Sequence, residues 1–461
     1  MSVVINGDTG ISGVNGSAAN PAIKGGDADT GIHFGTDTAA ITTGGTERVS
    51  VDSSGAATFS GTVKTSKVEN ANTSNGGVEI DTDGHVQLDG QQLPTTGPLS
   101  HRNLSQNGAV QINQRGTTEN ANTYGGPDRF FSLISAAPDY LAERSQQLDA
   151  PESTGLQYCY QLKTTQARTG TTGNQYVGVG EFIEFQDVYN ALWGTNTHLT
   201  VSFWVKSSIT GTQTFNLNPC NTNSGLPTNR LLYHTTYTID SANTWEYKEI
   251  VVPLAHLSSF APLSTSGAAQ RGRGLEVTWM LGVTDAGSRD NATLGWNATE
   301  YRNAVSSFGS DTGGFLHTVG ATFRLTGIQV EAGAKATPFE HRTYQEMFQL
   351  CRRYFQRYEG GRIGHGIINN DTSGDRAVIL QNLHTPMRSA PTIENVTNGR
   401  IVLEGSQWYD VTSIPTIAGE TTDYMAIYNL TTSSQITGAT SDGQVPTAWG
   451  NGASVSLSAD L

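Results

Sequence analysis

Between about residue 103 and residue 340, apolar side chains come in short runs separated by turn residues, at the period of two that marks half-buried strands. The clearest are Tyr158-Cys-Tyr160-Gln-Leu162, Tyr176-Val-Gly-Val179, Leu199 to Val205, Trp245 to Val252, Leu275 to Leu281 and Phe323 to Val330. Within Leu199-Thr-Val201-Ser-Phe203-Trp204-Val205 the odd positions share one face and Trp204 falls on the other. Both faces of that strand are therefore expected to be covered, as in the middle of a sandwich. Seven or more such strands over 103–340 predict an antiparallel β-sandwich, a jelly roll by preference.

The pattern then changes period. Thr343-x-x-Glu346 has the form of a capping box. Behind it Tyr344, Met347, Phe348, Cys351, Tyr354, Phe355 and Tyr358 are spaced 3, 1, 3, 3, 1 and 3, a continuous apolar stripe at helical period. Arg352, Arg353 and Arg357 stand in the last turns and Gly360-Gly361 follows, which predicts one amphipathic helix over 343–359. A stripe this aromatic must pack, either on the sandwich or on copies of itself.

On either side the chain is thinner. Residues 1–95 hold few large apolar side chains, but Val49-Ser-Val51-Asp52-Ser-Ser-Gly55 with Phe59 and Gly61 returns 29 residues later as Val78-Glu-Ile80-Asp81-Thr-Asp-Gly84 with Leu88 and Gly90. Each unit reads as strand, Asp-x-x-Gly turn, strand. Hairpins this slight are marginal alone, so neighbouring chains are expected to complete their packing. Leu93-Pro94-Thr-Thr-Gly97-Pro98 breaks both helix and strand and reads as a linker. Residues 362–461 return to short apolar pieces, among them Trp408-Tyr409-Asp410-Val411 and Tyr424 to Leu430, and predict a small C-terminal β-domain. The fold class expected is thus mainly β: N-terminal hairpins, central sandwich, one helix, β-tip.

Composition supports that class: 53 glycines in 461 residues and a charged fraction of 15% suit many short strands and tight turns. Net charge is −14, and the first hundred residues carry eleven acidic against four basic side chains, a balance of −7. Such a surface repels phosphate backbones, so nucleic acid is not an expected partner. Cys159, Cys220 and Cys351 form no C-x-x-C pair. Free thiols are the preferred reading, with one bridge, Cys159 to Cys220, left open. The start MSVVINGDTG lacks a basic and apolar leader, and no run approaches 18 apolar residues, so neither secretion signal nor membrane insertion is expected.

A search for catalytic chemistry finds no G-x-S-x-G, no H-E-x-x-H and no phosphate loop. Glu181 and Glu184 are three apart in a predicted strand and point to opposite faces, so they do not make a glycosidase pair. An enzyme is therefore not expected, and no cofactor or metal is called for. Binding is the better prospect. Sugars ask for aromatic faces and carboxamides, and two polar loops supply them. One contains Asn221 and Asn223, the other Asn291, Trp296, Asn297 and Tyr301. Trp408 and Tyr409 are the rival pair, while Trp296 could instead plug the sandwich edge.

The stretch Gly327-Ile-Gln329-Val-Glu331-Ala-Gly333-x-x-Ala336-Thr337-Pro338-Phe339-Glu340-x-Arg342, followed by Leu350-Cys351-Arg352-Arg353-Tyr354-Phe355, resembles a signature of bacteriophage tail-fibre proteins. The opening Asn103-x-x-x-Asn107-Gly108 with Gln114-Arg115-Gly116, and Ser202-Phe203-Trp204-Val205-Lys206, are similar to the same family, over roughly 103–358. Gly31 to Arg48 is similar to fibre shaft repeats, less specifically. The resemblance implies a virion tail-fibre protein made in the bacterial host cytoplasm: a homotrimer held to the tail or an adaptor protein through its N-terminus. Its jelly roll would resemble a carbohydrate-binding module, with bacterial surface polysaccharide as ligand. A polysaccharide depolymerase, or a purely structural adaptor or capsid fibre, are the alternatives.

Overall fold

Burial of the alternating runs organises the larger part of the chain. The computed structural model describes residues 4–6, 10–12, 15–64, 67–69, 77–80, 86–88, 91–92, 101–119, 124–134, 140–169, 176–193, 197–220, 231–255, 271–283, 294–297, 314–371, 374–397, 400–402, 408–417, 425–432 and 444–460. Only backbone is described before residue 15, in the strands between 67 and 92 apart from Val78, and within 360–381 and 393–454. The chain divides into two units, Met1–Leu93 and Pro94–Leu461.

In the larger unit two six-stranded antiparallel sheets form the sandwich. The first runs Thr118–Glu119, Leu141–Gln147, Cys159–Gln166, Thr322–Ala332, His198–Ser207, Glu246–Pro253. The second runs Phe130–Ile134, Tyr176–Glu184, Arg273–Val283, Gly211–Pro219, Leu232–Ile239, Gly295–Asn297. Leu199, Val201, Phe203 and Val205 are all fully buried between them, as their alternation requires. Phe203 from the first sheet meets Trp279 and Phe215 from the second, with ring centroids 5.4 and 6.4 Å away. Such aromatic pairs carry a large share of core burial. Trp204, on the other face, lies against Tyr247 at 5.4 Å.

Two α-helices are described rather than the one expected. The first, α1 (Phe185–Trp193), continues directly from strand Tyr176–Glu184. It buries Phe185, Val188, Ala191 and Leu192, spaced as one helical face. Gly274 makes its seat: a Cβ there would collide with the backbone of Phe185.

The second helix, α2 (Tyr344–Arg352), starts where the capping box puts it, with the Thr343 hydroxyl accepting from the Glu346 amide at 3.3 Å. It ends earlier than the 343–359 expected. Arg353 and Tyr354 form a turn and Phe355 begins a long strand, Phe355–Asp371, that contains Gly360 and Gly361. The competing interaction is non-local: Phe355 to Glu359 pair with Ser458 to Ser454, and the ladder outbids two more helical turns.

That strand opens the C-terminal sheet, with Gly374–Asn382, Thr392–Thr397, Arg400–Val402, Trp408–Ile417, Met425–Thr432 and Gln444–Ser458. Neighbours follow the order 355–371, 374–382, 425–432, 408–417, 400–402, 444–458, and the last pairs back onto the first. The six strands close into a barrel-like ring, and Thr392–Thr397 pairs on one side with Gln444–Ser458. All three cysteines are free and buried.

In the smaller unit, Ile23–Lys24, Gly31–Gly35, Thr38–Thr43, Thr46–Val51 and Ala57–Phe59 form a five-stranded meander. The Asp-x-x-Gly turn is made as its residues dictate. Asp52 Oδ1 accepts from the Ser54 and Ala56 amides at 2.8 and 3.1 Å, and Gly55 takes φ +83°. The second copy pairs Gly77–Ile80 with Val86–Leu88; its turn, residues 81–85, lies outside the described residues. The linker residues 93–98 also lie outside them.

Candidate functional site

The residues that carry the sequence signature turn out to be a clasp. Asn103 donates to the Ile328 carbonyl at 2.9 Å and accepts from the Ser105 and Val330 amides at 2.9 and 3.1 Å. Asn107 donates to the carbonyls of Ile112 and Asp128, both at 2.9 Å, and accepts from the Ile112 amide. Gly108 follows because a Cβ there would fall on the Ile328 carbonyl oxygen.

From the other side, Gln329 donates to Glu331 at 2.8 Å and accepts from the Glu340 amide at 2.8 Å. Glu331 takes the Thr337 amide and hydroxyl at 2.8 and 2.6 Å. Arg342 Nη2 donates to the Asn103 carbonyl at 2.6 Å and to Glu340 at 3.1 Å. Buried polar groups are tolerated when satisfied in this way. The clasp fixes two loops against one end of the sandwich.

Between those loops lies a cavity of about 580 Å³ lined by Gln111, Asn113, Gln146, Gln157, Tyr158, Arg342 and Tyr344. Its residues come from four segments: the loop after Gly108, the end of strand Leu141–Gln147, the entry to strand Cys159–Gln166, and the approach to α2. Gln146 is anchored by donating to the Val110 carbonyl at 2.6 Å. Tyr158 is held through its carbonyl, which accepts from the Thr326 hydroxyl at 2.7 Å. Arg342 is nearly buried, and its Nε has no hydrogen-bond partner, with the nearest Glu346 oxygen 3.8 Å away. Tyr344 is 57% exposed and stacked on Phe348.

This lining has a definite chemistry. Four carboxamides each offer donors and an acceptor, the phenols add hydroxyls on flat apolar rings, and the guanidinium adds a fixed charge. The hollow is open to solvent and mainly polar, unlike the apolar pockets that enclose drug-sized ligands, and its lining residues include no carboxylate. Among the described residues no group of three or more His, Cys, Asp or Glu could hold a metal ion, and no helix is long and apolar enough to cross a membrane.

The residues singled out from sequence fall elsewhere. Trp296 packs on the sandwich core and edge-on to Tyr233, and its indole donates to the Pro253 carbonyl at 2.6 Å; it spans the edge between the two sheets. Asn297, next to it, donates to the Gly295 carbonyl at 3.2 Å. Asn221, Asn223, Asn291 and Tyr301 lie outside the described residues. Trp408 and Tyr409 lie in a strand opposite Val402 and Ile401, with only their backbone described.

The helical stripe is spent within the subunit. Met347 and Cys351 pack with Ala109, Ile112 and Leu156, and Phe348 lies against them. Tyr354 lies under the Arg129 guanidinium, 3.4 Å from its ring centroid. Phe355 meets Arg115 at 3.8 Å, and Tyr358 stacks on His384 at 4.8 Å. Tyr344 alone turns to the cavity. Glu181 and Glu184 have separate partners, Glu181 accepting from Ser105 at 2.7 Å and Glu184 from Arg353 at 2.8 Å.

A second polar cluster lies within the second sheet. Asn216, Asn218, Glu276 and Thr278 are cross-strand neighbours there, and the His234 imidazole faces Asn216 Oδ1 at 2.8 Å. All five are buried, and burial pushes His234 down to about 4. The polar stretch from Asn216 that the sequence marks as a loop begins as a buried strand, which holds Asn216 and Asn218 in this cluster. The amides of the cavity sit in strand ends and loops with no mutual spacing, so only the clasp motif pointed near it.

No known family's profile matches the chain, and no curated protein does. Among solved structures it is similar to the enzymatically active domain of tailspike protein 4 from bacteriophage CBA120, at 12% identity and TM-score 0.26 over 50% of this chain and 22% of that one. The chain therefore spans under a quarter of that protein's length. A family 11 carbohydrate-binding module from Clostridium thermocellum, in complex with a β-1,3-1,4-mixed-linked tetrasaccharide, aligns at 15% identity and TM-score 0.23, over 48% of this chain and 98% of the module. A family 4 module aligns at 10% identity and TM-score 0.21, over 49% and 98%. Scores and identities this low assign the chain neither an activity nor a ligand.

Proposed function

We propose that the chain is a bacteriophage tail-fibre subunit that attaches the virion to bacterial surface polysaccharide and holds the glycan without cleaving it. The observation that carries the reading is the clasped cavity lined by Gln111, Asn113, Gln146, Gln157, Tyr158, Arg342 and Tyr344. Vicinal hydroxyls pair with carboxamides and guanidinium, and pyranose faces lie on tyrosine rings. Most glycoside hydrolases work with a pair of carboxyl groups across the scissile bond, and the residues lining this cavity are amides, phenols and a guanidinium. The sequence resemblance adds the virion setting: a homotrimer joined to the tail through its N-terminal region. Three sites per fibre would raise a weak single-site affinity by avidity.

The test is to pass polysaccharide extracted from bacterial surfaces over the immobilised full chain, then measure chain length of the eluate. Retention at unchanged length, weakened by Arg342→Ala, supports the proposal. Shortened chains identify a depolymerase instead. No retention on any extract, with the protein folded, leaves a structural fibre and removes the glycan reading.

A further inference from the structure

On the outer face of its first sheet the sandwich carries a row of aromatic rings. Trp204 pairs directly with Tyr247 on one side and with Thr326 on the other, and the Thr326 hydroxyl donates to the Tyr158 carbonyl at 2.7 Å. The row crosses from the edge strand Glu246–Pro253 to the entry of Cys159–Gln166, three strand spacings or roughly 14 Å. Leu199, Val201, Phe203 and Val205 fill the core, which leaves Trp204 half-buried and Tyr247 45% exposed on the far side. Opposite Trp204 the strand Thr322–Ala332 bulges at Gly327, which takes φ +59°. A Cβ there would meet both Trp204 and Leu156, so the bulge gives the indole its seat. Charged side chains border the row. Lys206 and Arg324 are cross-strand partners that share Asp149 on one side, and on the other Glu249 stands exposed opposite Ser202. The row also reaches the cavity. Tyr158 is part of its lining. Trp204 and Phe348 pack on the small cluster that holds Leu156, and Phe348 is stacked at 5.8 Å on Tyr344, another lining residue.

We infer that a linear polysaccharide leaves the cavity along this row, so that the site holds several consecutive sugar units and Tyr247 is its far subsite. This rests on the reading of the cavity as a glycan site and names the form of ligand that site takes: an extended chain, not a lone sugar. Three observations select a sugar chain. A pyranose is apolar on its faces and polar around its edge, and a row of rings bordered by ammonium, guanidinium and carboxylate presents the same alternation. The row is continuous with the cavity through Tyr158 and through Leu156, so one ligand can lie on both without a break. A protein laid on this face would instead have to bury Lys206 and Glu249, at a desolvation cost that a hydrated sugar chain avoids. Tyr247 lies in the edge strand, so the row ends there and sets the reach of the site.

The experiment uses the full chain and, as probe, bacterial surface polysaccharide cut by partial acid hydrolysis and sorted by length. Wild-type affinity should climb at least tenfold from the shortest fraction that binds to the longest. Tyr247→Thr keeps a good strand former in place. It should bind the shortest fraction as the wild type does and the longest at least fivefold more weakly, with unchanged circular dichroism and melting temperature. Tyr247→Phe, which keeps the ring, should bind both fractions like the wild type. Tyr344→Ala, inside the cavity, should weaken short and long fractions alike. Long fragments held equally by Tyr247→Thr and the wild type overturn the inference and leave the cavity as the glycan site. So does an equal loss for short and long fragments in Tyr247→Thr, the mark of a merely structural role, or a Tyr247→Phe no better than Tyr247→Thr. A wild type that holds no fraction and no intact polysaccharide overturns the glycan reading itself, and the longer site with it.

Discussion

The Arg353 guanidinium grips the fully buried Glu184 carboxylate with Nε at 2.8 Å and Nη2 at 3.0 Å, tying the turn after α2 to the end of a sandwich strand. Removing Arg353 takes the cationic partner from a carboxylate held out of water, with the Gln186 carboxamide still donating to it at 2.7 Å. Arg353→Met is expected to cost about 3 kcal/mol in denaturant unfolding. Glu184→Gln with Arg353→Met should recover part of it, and a strictly additive double mutant would show that the pair is not coupled.

His234 gives the sandwich a pH dependence. The unfolded chain takes up the proton near ~6.5, the folded one only near 4, because burial disfavours the cation. Between those values the unfolded state binds more protons, so stability falls as pH falls, by about 3 kcal/mol between neutrality and the lower value. In His234→Gln this component should vanish. Equal pH slopes for wild type and variant would count against it.

Gly108 has no room for a side chain over the Ile328 carbonyl. Gly108→Ala should therefore cost about 2 kcal/mol or more, by pushing the loop that carries Gln111 and Asn113 off the clasp. Thermal unfolding together with polysaccharide retention reads both effects, and both should fall together.

Tyr344 is exposed and lines the cavity, so its truncation separates binding from folding. Tyr344→Ala should leave the melting temperature within a degree or so and reduce glycan retention on the order of tenfold, the worth of one aromatic face. Retention that survives in full would move the ligand to another surface.

The thiols should be silent. Burial raises Cys159 to about 12 and Cys351 well above the ordinary thiol value, and the thiolate is the reactive form. A disulfide reagent at neutral pH is expected to label none of the three until denaturant is added. Prompt labelling of any one would show local opening at that site.

Much of the architecture could be read from the chain, for reasons visible at particular residues. Leu199 to Val205 alternates so regularly that strand, face and central placement all follow. Thr343 and Glu346 mark the start of α2 because capping is local chemistry. Its end was not legible: Phe355 and Tyr358 continue a helical spacing, and only the ladder to Ser458 and Val455, about a hundred residues on, makes them strand. The start of α1 lay in plain view in Phe185, Val188, Ala191 and Leu192, but it abuts a strand with no breaker between. The cavity was least legible. Its residues are ordinary amides from four segments, brought together by hydrogen bonds such as Asn103 to Ile328 that join positions 225 apart. Trp296 takes the second of its two expected places, at the sandwich edge, with its N–H satisfied by Pro253.

The closing of both β-structures by late strands has a consequence for synthesis. Thr322–Ala332 inserts between two strands made more than a hundred residues earlier, and Gln444–Ser458 seals the C-terminal ring. Beyond it Ala459 accepts from Arg388, and Asp460 reaches back to Arg115 on the sandwich loop. Neither structure can be completed while the ribosome still holds these segments. Folding must then wait for non-local pairings that form slowly. Without Gln444–Ser458 the strands Phe355–Asp371, Thr392–Thr397 and Arg400–Val402 would lack that partner, and unpaired edges of this kind invite association in partly folded chains.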